Sequence, residues 1–257
     1  MLIVVSPAKK LDFESPLPTK RNTQPAFLDN SQMLIDQMRT YSALDIAEFM
    51  DVSMKIAELN FERFEQWEKP FTAKNARPAA LAFKGDVYEG LNAQDFSSDD
   101  FSFLQKHLRI LSGLYGYLKP LDLMQPYRLE MGRKVVTEHG KNLYEFWGER
   151  VTDALNKELT KQKNPTLINL ASIEYFKVVK RKQLEANIIT PQFKDWKNGQ
   201  YKMIGFYAKK ARGMMTRHIT LNRIESAEDV KSFNADGYSY NETMSEGNNW
   251  VFTRKVA

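Results

Sequence analysis

Short β-branched runs and longer helical stretches alternate along this chain. "MLIVV" at residues 1–5 is a compact apolar run that predicts a buried strand, and it feeds the polar loop "SPAKKLD". Residues 15–25, "SPLPTKRNTQP", are punctuated by three prolines and predict irregular surface. From residue 27 to residue 67 Pro and Gly are absent and apolar residues return at three- and four-residue steps. That spacing predicts two or three helices, with Asp45 and Asp51 as candidate caps. "LRILS" (residues 108–112) predicts a strand, "NLYEFWGERVTDALNKEL" (142–159) one amphipathic helix, and "TLINLAS" (166–172) a strand running into a turn. "ANIITPQFKDW" and "QYKMIGFYA" flank Asn198-Gly199 and predict a strand pair about a two-residue turn. "SAEDVKSF" predicts a short helix opened by Ser226, and residues 238–256 predict strands joined by "SEGNN". No fixed-period repeat and no linker-like stretch divides the pattern, so the expectation is one mixed α/β domain over residues 1–257.

Composition narrows the chemistry. The 257 residues include no cysteine, which removes disulfides, thiolate metal sites and thiol redox catalysis. His107, His139 and His218 are scattered, none with a second histidine at ligand spacing, so neither a metal site nor a cofactor is implied. No apolar run approaches bilayer length and the start does not read as a secretory signal, so a cytoplasmic protein is expected. The net charge of +5 is unevenly spread. Between Tyr175 and Arg223 twelve Lys and Arg face only Glu185 and Asp195, a local excess of +10 that leaves the remainder net negative. One strongly basic segment in an otherwise balanced chain is the footprint of a polyanion binder.

Within that segment, "YAKKARGMMTRH" (207–218) places Lys209, Lys210, Arg212 and Arg217 on one helical face, with Ala208, Ala211, Met214 and Met215 opposite. A solvated helix face is the ordinary reading of such a run; the surrounding charge shifts it toward polyanion contact. Gly213, amid the cations, would permit close approach of a phosphate backbone. "LSGLYGYLKPLDLMQPYRLEMG" (111–132) offers Gly113 and Gly116 as a turn with exposed N–H groups, Tyr115 as a stacking surface, and Lys119 and Arg128 as cations. Its bland alternative is a structural turn with core tyrosines and Arg128 paired to Glu130. Lys9 and Lys10 follow the first strand, where ligands sit in open α/β sheets. If the protein is an enzyme, Ser6, Lys9, Asp86, Arg128, Glu130 and Glu174 are the catalytic candidates. Helix caps are the default for Asp86 and Ser172.

"SPAKKLDF", "AFKGDVYEGL", the 111–132 motif, "NLASIEYFKVV" and "KKARGMMTRHI", in this order and spacing, resemble the YaaA family of bacterial peroxide stress resistance proteins over essentially the whole chain. The resemblance implies a family-specific single-domain fold, a curved mixed β-sheet surrounded by helices, with a basic cleft and a helix-hairpin-helix-like element. It implies a DNA-binding protein of the hydrogen peroxide response that limits oxidative DNA damage and is linked to lower intracellular free iron. The expected partner is duplex or branched DNA, including bubbles and junctions. Lys9, Lys10, Gly113, Tyr115, Gly116, Lys119, Arg128, Lys177, Lys209, Lys210, Arg212 and Arg217 are the expected contacts. The alternative is an enzyme acting on a nucleic acid or nucleotide, such as a damaged base, in a pocket formed by the polar motifs.

Overall fold

Leu2–Val5, four buried apolar residues in a row, forms an inner strand of an eight-stranded sheet in the computed structural model, which describes residues 1–255. In chain order the strands are β1 (Leu2–Val5), β2 (Leu108–Ser112), β3 (Gly116–Leu118), β4 (Thr166–Leu170), β5 (Asn187–Lys197), β6 (Gln200–Lys202), β7 (Ser239–Tyr240) and β8 (Asn249–Arg254). Spatially they run β7-β8-β5-β4-β1-β2-β3, with β6 added beside β5. The inner strands β8, β5, β4, β1 and β2 are mutually parallel, whereas β3 and β7 close the two edges antiparallel. β1, β2 and β4 are buried along their whole length, as strands covered on both faces are, although β2 and β4 carry Arg109 and Asn169 among their apolar residues. The protein is therefore a single mixed α/β domain.

β5 behaves differently. Its eleven residues alternate, with Ile189, Pro191, Phe193 and Asp195 buried and their neighbours less so. Residues 187–189 pair with β4, and Thr190–Asp195 pair with β8. Asn198 and Gly199 both have positive φ (51° and 80°), the two-residue turn that returns the chain as β6.

Three helices fill residues 27–67: α1 (Leu28–Met38), α2 (Ala43–Met50) and α3 (Met54–Gln66). Ser42 caps α2 in a reciprocal box with Asp45, and Asp51 ends that helix in a left-handed conformation (φ 51°). α4 (Asp86–Leu91) and α5 (Ser98–His107) lead into β2. The single helix expected over 142–159 is two, α6 (Leu143–Trp147) and α7 (Arg150–Leu159), because Gly148 turns left-handed (φ 53°) between them. α8 (Ile173–Phe176) follows β4, and α9 (Gly205–Leu221) takes over where the expected strand "QYKMIGFYA" stops at Lys202. "SAEDVKSF" yields a 3-10 turn over Glu228–Ser232 without a serine cap. Val256, in the expected terminal strand, lies outside the described residues.

Candidate functional site: the carboxyl-end cluster and the basic surface

β1 and β4 are neighbours whose onward connections lead to opposite sides, β1 to β2 and β4 to β5. The carboxyl ends of such a pair form the crevice where open α/β sheets place ligands. Ser6, one residue past β1, accepts the Ser172 backbone N–H at 2.8 Å, and the two hydroxyl oxygens are 3.3 Å apart. Ser172 also caps α8, as its default reading required. Tyr88 of α4 donates to the Ser6 carbonyl at 3.1 Å.

Around this point the structure gathers most of the sequence candidates. Glu130 is buried, and its Oε1 receives Arg128 at 2.9 Å and Lys9 at 3.3 Å. Burial pushes the Glu130 carboxyl up, but the Arg128 hydrogen bonds and the charges of Arg128 and Lys9 outweigh it and hold the group below its ordinary value. Its second oxygen, Oε2, is buried with no hydrogen-bond partner; Arg133 Nε is 4.0 Å away. Two residues on, the Gly132 N–H donates to Glu174 Oε1 at 3.0 Å. Tyr144 donates to the Glu174 carbonyl while Lys177 sits 4.8 Å above the Tyr144 ring. Lys10 is exposed in a two-residue ribbon with Lys84. Asp86 opens α4 after Gly85 but makes no capping hydrogen bond, and no hydrogen bond or ion pair joins it to the cluster among the described residues. Ser6 bonds to Ser172 rather than to Lys9, so no serine–lysine nucleophile pair is assembled.

The glycine-tyrosine turn is a core device, which corrects its reading as a backbone contact. Gly113 to Gly116 joins β2 to β3 as a β-hairpin and lies between strands, not helices. A Cβ at Gly113 would stand 2.2 Å from the Leu129 carbonyl oxygen, and one at Gly116 (φ 67°) would stand 2.9 Å from the Trp147 ring. Tyr115 is fully buried, its hydroxyl accepting from Trp67 Nε1 at 3.0 Å and from the Gln125 N–H at 3.2 Å. Gly113, Tyr115 and Gly116 therefore cannot meet a nucleic acid. Lys119 keeps a partly exposed side chain while its N–H donates to Asp122.

The basic segment divides in two. Arg217 donates to the Leu91 and Asn92 carbonyls at 3.2 and 2.7 Å, pairs with Asp95 at 3.7 Å and covers the Phe96 ring. It fastens the end of α4, a correction to its place among the DNA contacts. Gly213 is likewise turned inward, and no phosphate reaches it. Arg212 is half-buried, its Nε has no partner, and burial lowers its pKa. By contrast Lys197, Lys202, Lys209 and Lys210 are exposed. Of the twelve cations only Arg217 and Arg223 form ion pairs among the described residues. Asp195, the acid in their midst, is buried and taken by Arg254 at 2.6 Å and by Tyr238 at 2.8 Å.

Sequence reasoning passed over one surface. Trp196 stands directly across from Tyr201 in the β5–β6 hairpin, their rings edge to face at 5.0 Å. Lys255 lies 5.0 Å over the Trp196 ring. The signal was present: a two-residue turn at Asn198-Gly199 dictates that register.

A sequence profile described as "Peroxide stress protein YaaA" matches residues 1–244. A protein named "UPF0246 protein" from Colwellia psychrerythraea is 62% identical over 255 residues, covering 99% of each chain. Relatives of the same name from Teredinibacter turnerae (57% identical, 99% of this chain and 100% of the relative) and Aliivibrio fischeri (58%, 99% and 98%) are similar over the same length. The profile over residues 1–244 and these relatives place the matter beyond the motifs alone: this chain belongs to the peroxide stress protein YaaA family.

Proposed function

We propose that this chain serves the peroxide stress response as a DNA-binding protein that engages the phosphate backbone of duplex or branched DNA. The observation that carries this reading is the set of exposed lysines, Lys197, Lys202, Lys209 and Lys210, none of which has a carboxylate partner among the described residues, the local acid Asp195 being committed to Arg254. A sugar-phosphate polymer satisfies such an array without base-specific contacts. Protection against oxidative DNA damage and the link to lower free iron are the physiological outcome that the motif resemblance suggests. Fluorescence anisotropy with duplex, bubble and junction DNA across a salt series tests the reading. Affinity should fall on a log–log slope of about −0.9 per phosphate contacted, and Lys202→Ala/Lys209→Ala/Lys210→Ala should make that slope shallower. A salt-independent affinity, or a folded triple variant that binds unchanged, refutes it.

A second reading, an enzyme acting on a nucleic acid or nucleotide, draws support from the unsatisfied Glu130 Oε2, on a carboxylate whose other oxygen is held by Lys9 and Arg128 at the switch point of the sheet. A donor group on a ligand would complete that oxygen. Product analysis of DNA and nucleotides incubated with wild type and Glu130→Gln decides it; no product from the wild type removes this reading.

A further inference from the structure

We propose that the outer face of the β5–β6 hairpin is a stacking platform for unpaired nucleobases, giving the protein a preference for single-stranded DNA over fully paired duplex. This rests on the nucleic-acid reading above and names the part of the ligand that this face takes. Strand geometry defines the face. Side chains alternate, so Lys194 and Trp196 point away from the side on which Phe193 and Asp195 are buried. The register sets Tyr201 opposite Trp196, and Met203, two residues further, follows Tyr201. Thr253 of β8 stands opposite Lys194, and Lys255 closes over the indole. Trp196 is 40% exposed and Met203 51%.

Two properties single out the ligand. The face carries apolar rings at the solvent boundary, yet among the described residues its charges are all positive: Asp195 lies on the opposite side, held by Arg254 and Tyr238. An apolar protein partner would not call for the lysines, and a simple phosphate contact would not call for the rings. Aromatic rings flanked by cations match single-stranded nucleic acid, whose bases present π-faces beside a phosphate chain. In a paired duplex those π-faces are covered by neighbouring base pairs, so only the lysines remain useful to it.

The test compares binding of labelled oligothymidylate and a labelled duplex of equal length by anisotropy at one salt concentration, using wild type, Trp196→Ala/Tyr201→Ala and Trp196→Phe. Circular dichroism and thermal melting verify that each variant is folded. The double variant should lose single-strand affinity by about tenfold or more while duplex affinity stays within about twofold, and Trp196→Phe should retain most of the single-strand binding. Equal losses on both ligands, or unchanged binding to both, overturns the platform and leaves the backbone-binding reading in place. Absence of wild-type binding to either DNA removes the backbone reading and the platform together. Trp196-dependent binding to vesicles of anionic phospholipid, without a single-strand preference, reassigns the face to lipid and also overturns the proposal.

Discussion

The Val87 carbonyl oxygen lies 1.8 Å from the point a Cβ on Gly213 would occupy, and the Lys210 carbonyl oxygen lies 2.1 Å from the corresponding point on Gly90. α4 and α9 thus cross with their backbones in contact, one glycine from each helix making room for the other. Gly213→Ala should therefore destabilise the fold by about 1–3 kcal/mol or more, because backbone and not a flexible side chain must give way. Urea denaturation checks this; a variant as stable as wild type would mean that the crossing is looser than described.

Arg217 acts at the same crossing through the terminal carbonyls of α4. Arg217→Ala should cost about 1.5–3 kcal/mol, the range for hydrogen bonds from a charged donor. In DNA titrations its salt dependence should match wild type. A shallower salt slope with unchanged stability would restore Arg217 to the binding surface.

His107 supplies a pH dependence. It stacks on Phe103 at 4.1 Å, and burial lowers its pKa from 6.5 despite the Met1 carbonyl and Glu225 favouring the charged form. Because the folded value is depressed, the unfolded chain binds a proton that the folded chain refuses. The stability this confers is full above pH 6.5 and is lost as pH falls from there through the folded value. Between about pH 7.5 and about pH 5.5, wild type should lose more stability than His107→Gln, while His218, lowered by burial as well, keeps its share in both. Denaturant midpoints at the two pH values decide; equal losses exclude His107.

The parts of this molecule written in local sequence were readable. "MLIVV", "LRILS" and "TLINL" form strands, and Asn198-Gly199 makes the expected turn. What escaped was identity of partners across the chain. Tyr115 reads equally well as a stacking surface or as core, and the choice was made by Trp67, 48 residues earlier. Gly213 looked like room for phosphate, yet the room is filled by α4. Arg217 counted as a free cation until Asp95 and the α4 terminus met it. The carboxyl-end grouping was more legible, since Ser6 and Lys9 lie in the loop after one parallel strand and Glu174 in the short helix that follows another, whereas Asp86 faces a helix start without joining them.

The divided allegiance of β5 has a consequence during biosynthesis. As the polypeptide leaves the ribosome, residues 187–189 find β4 already made, but Thr190–Asp195 must wait for residues 249–254. Until then a run including Ile189, Pro191 and Phe193 presents an open edge, the kind that recruits stray strands from other nascent chains. Pro191, which offers no N–H, and the lysines at 194 and 197 stand where they discourage such pairing while the edge is bare.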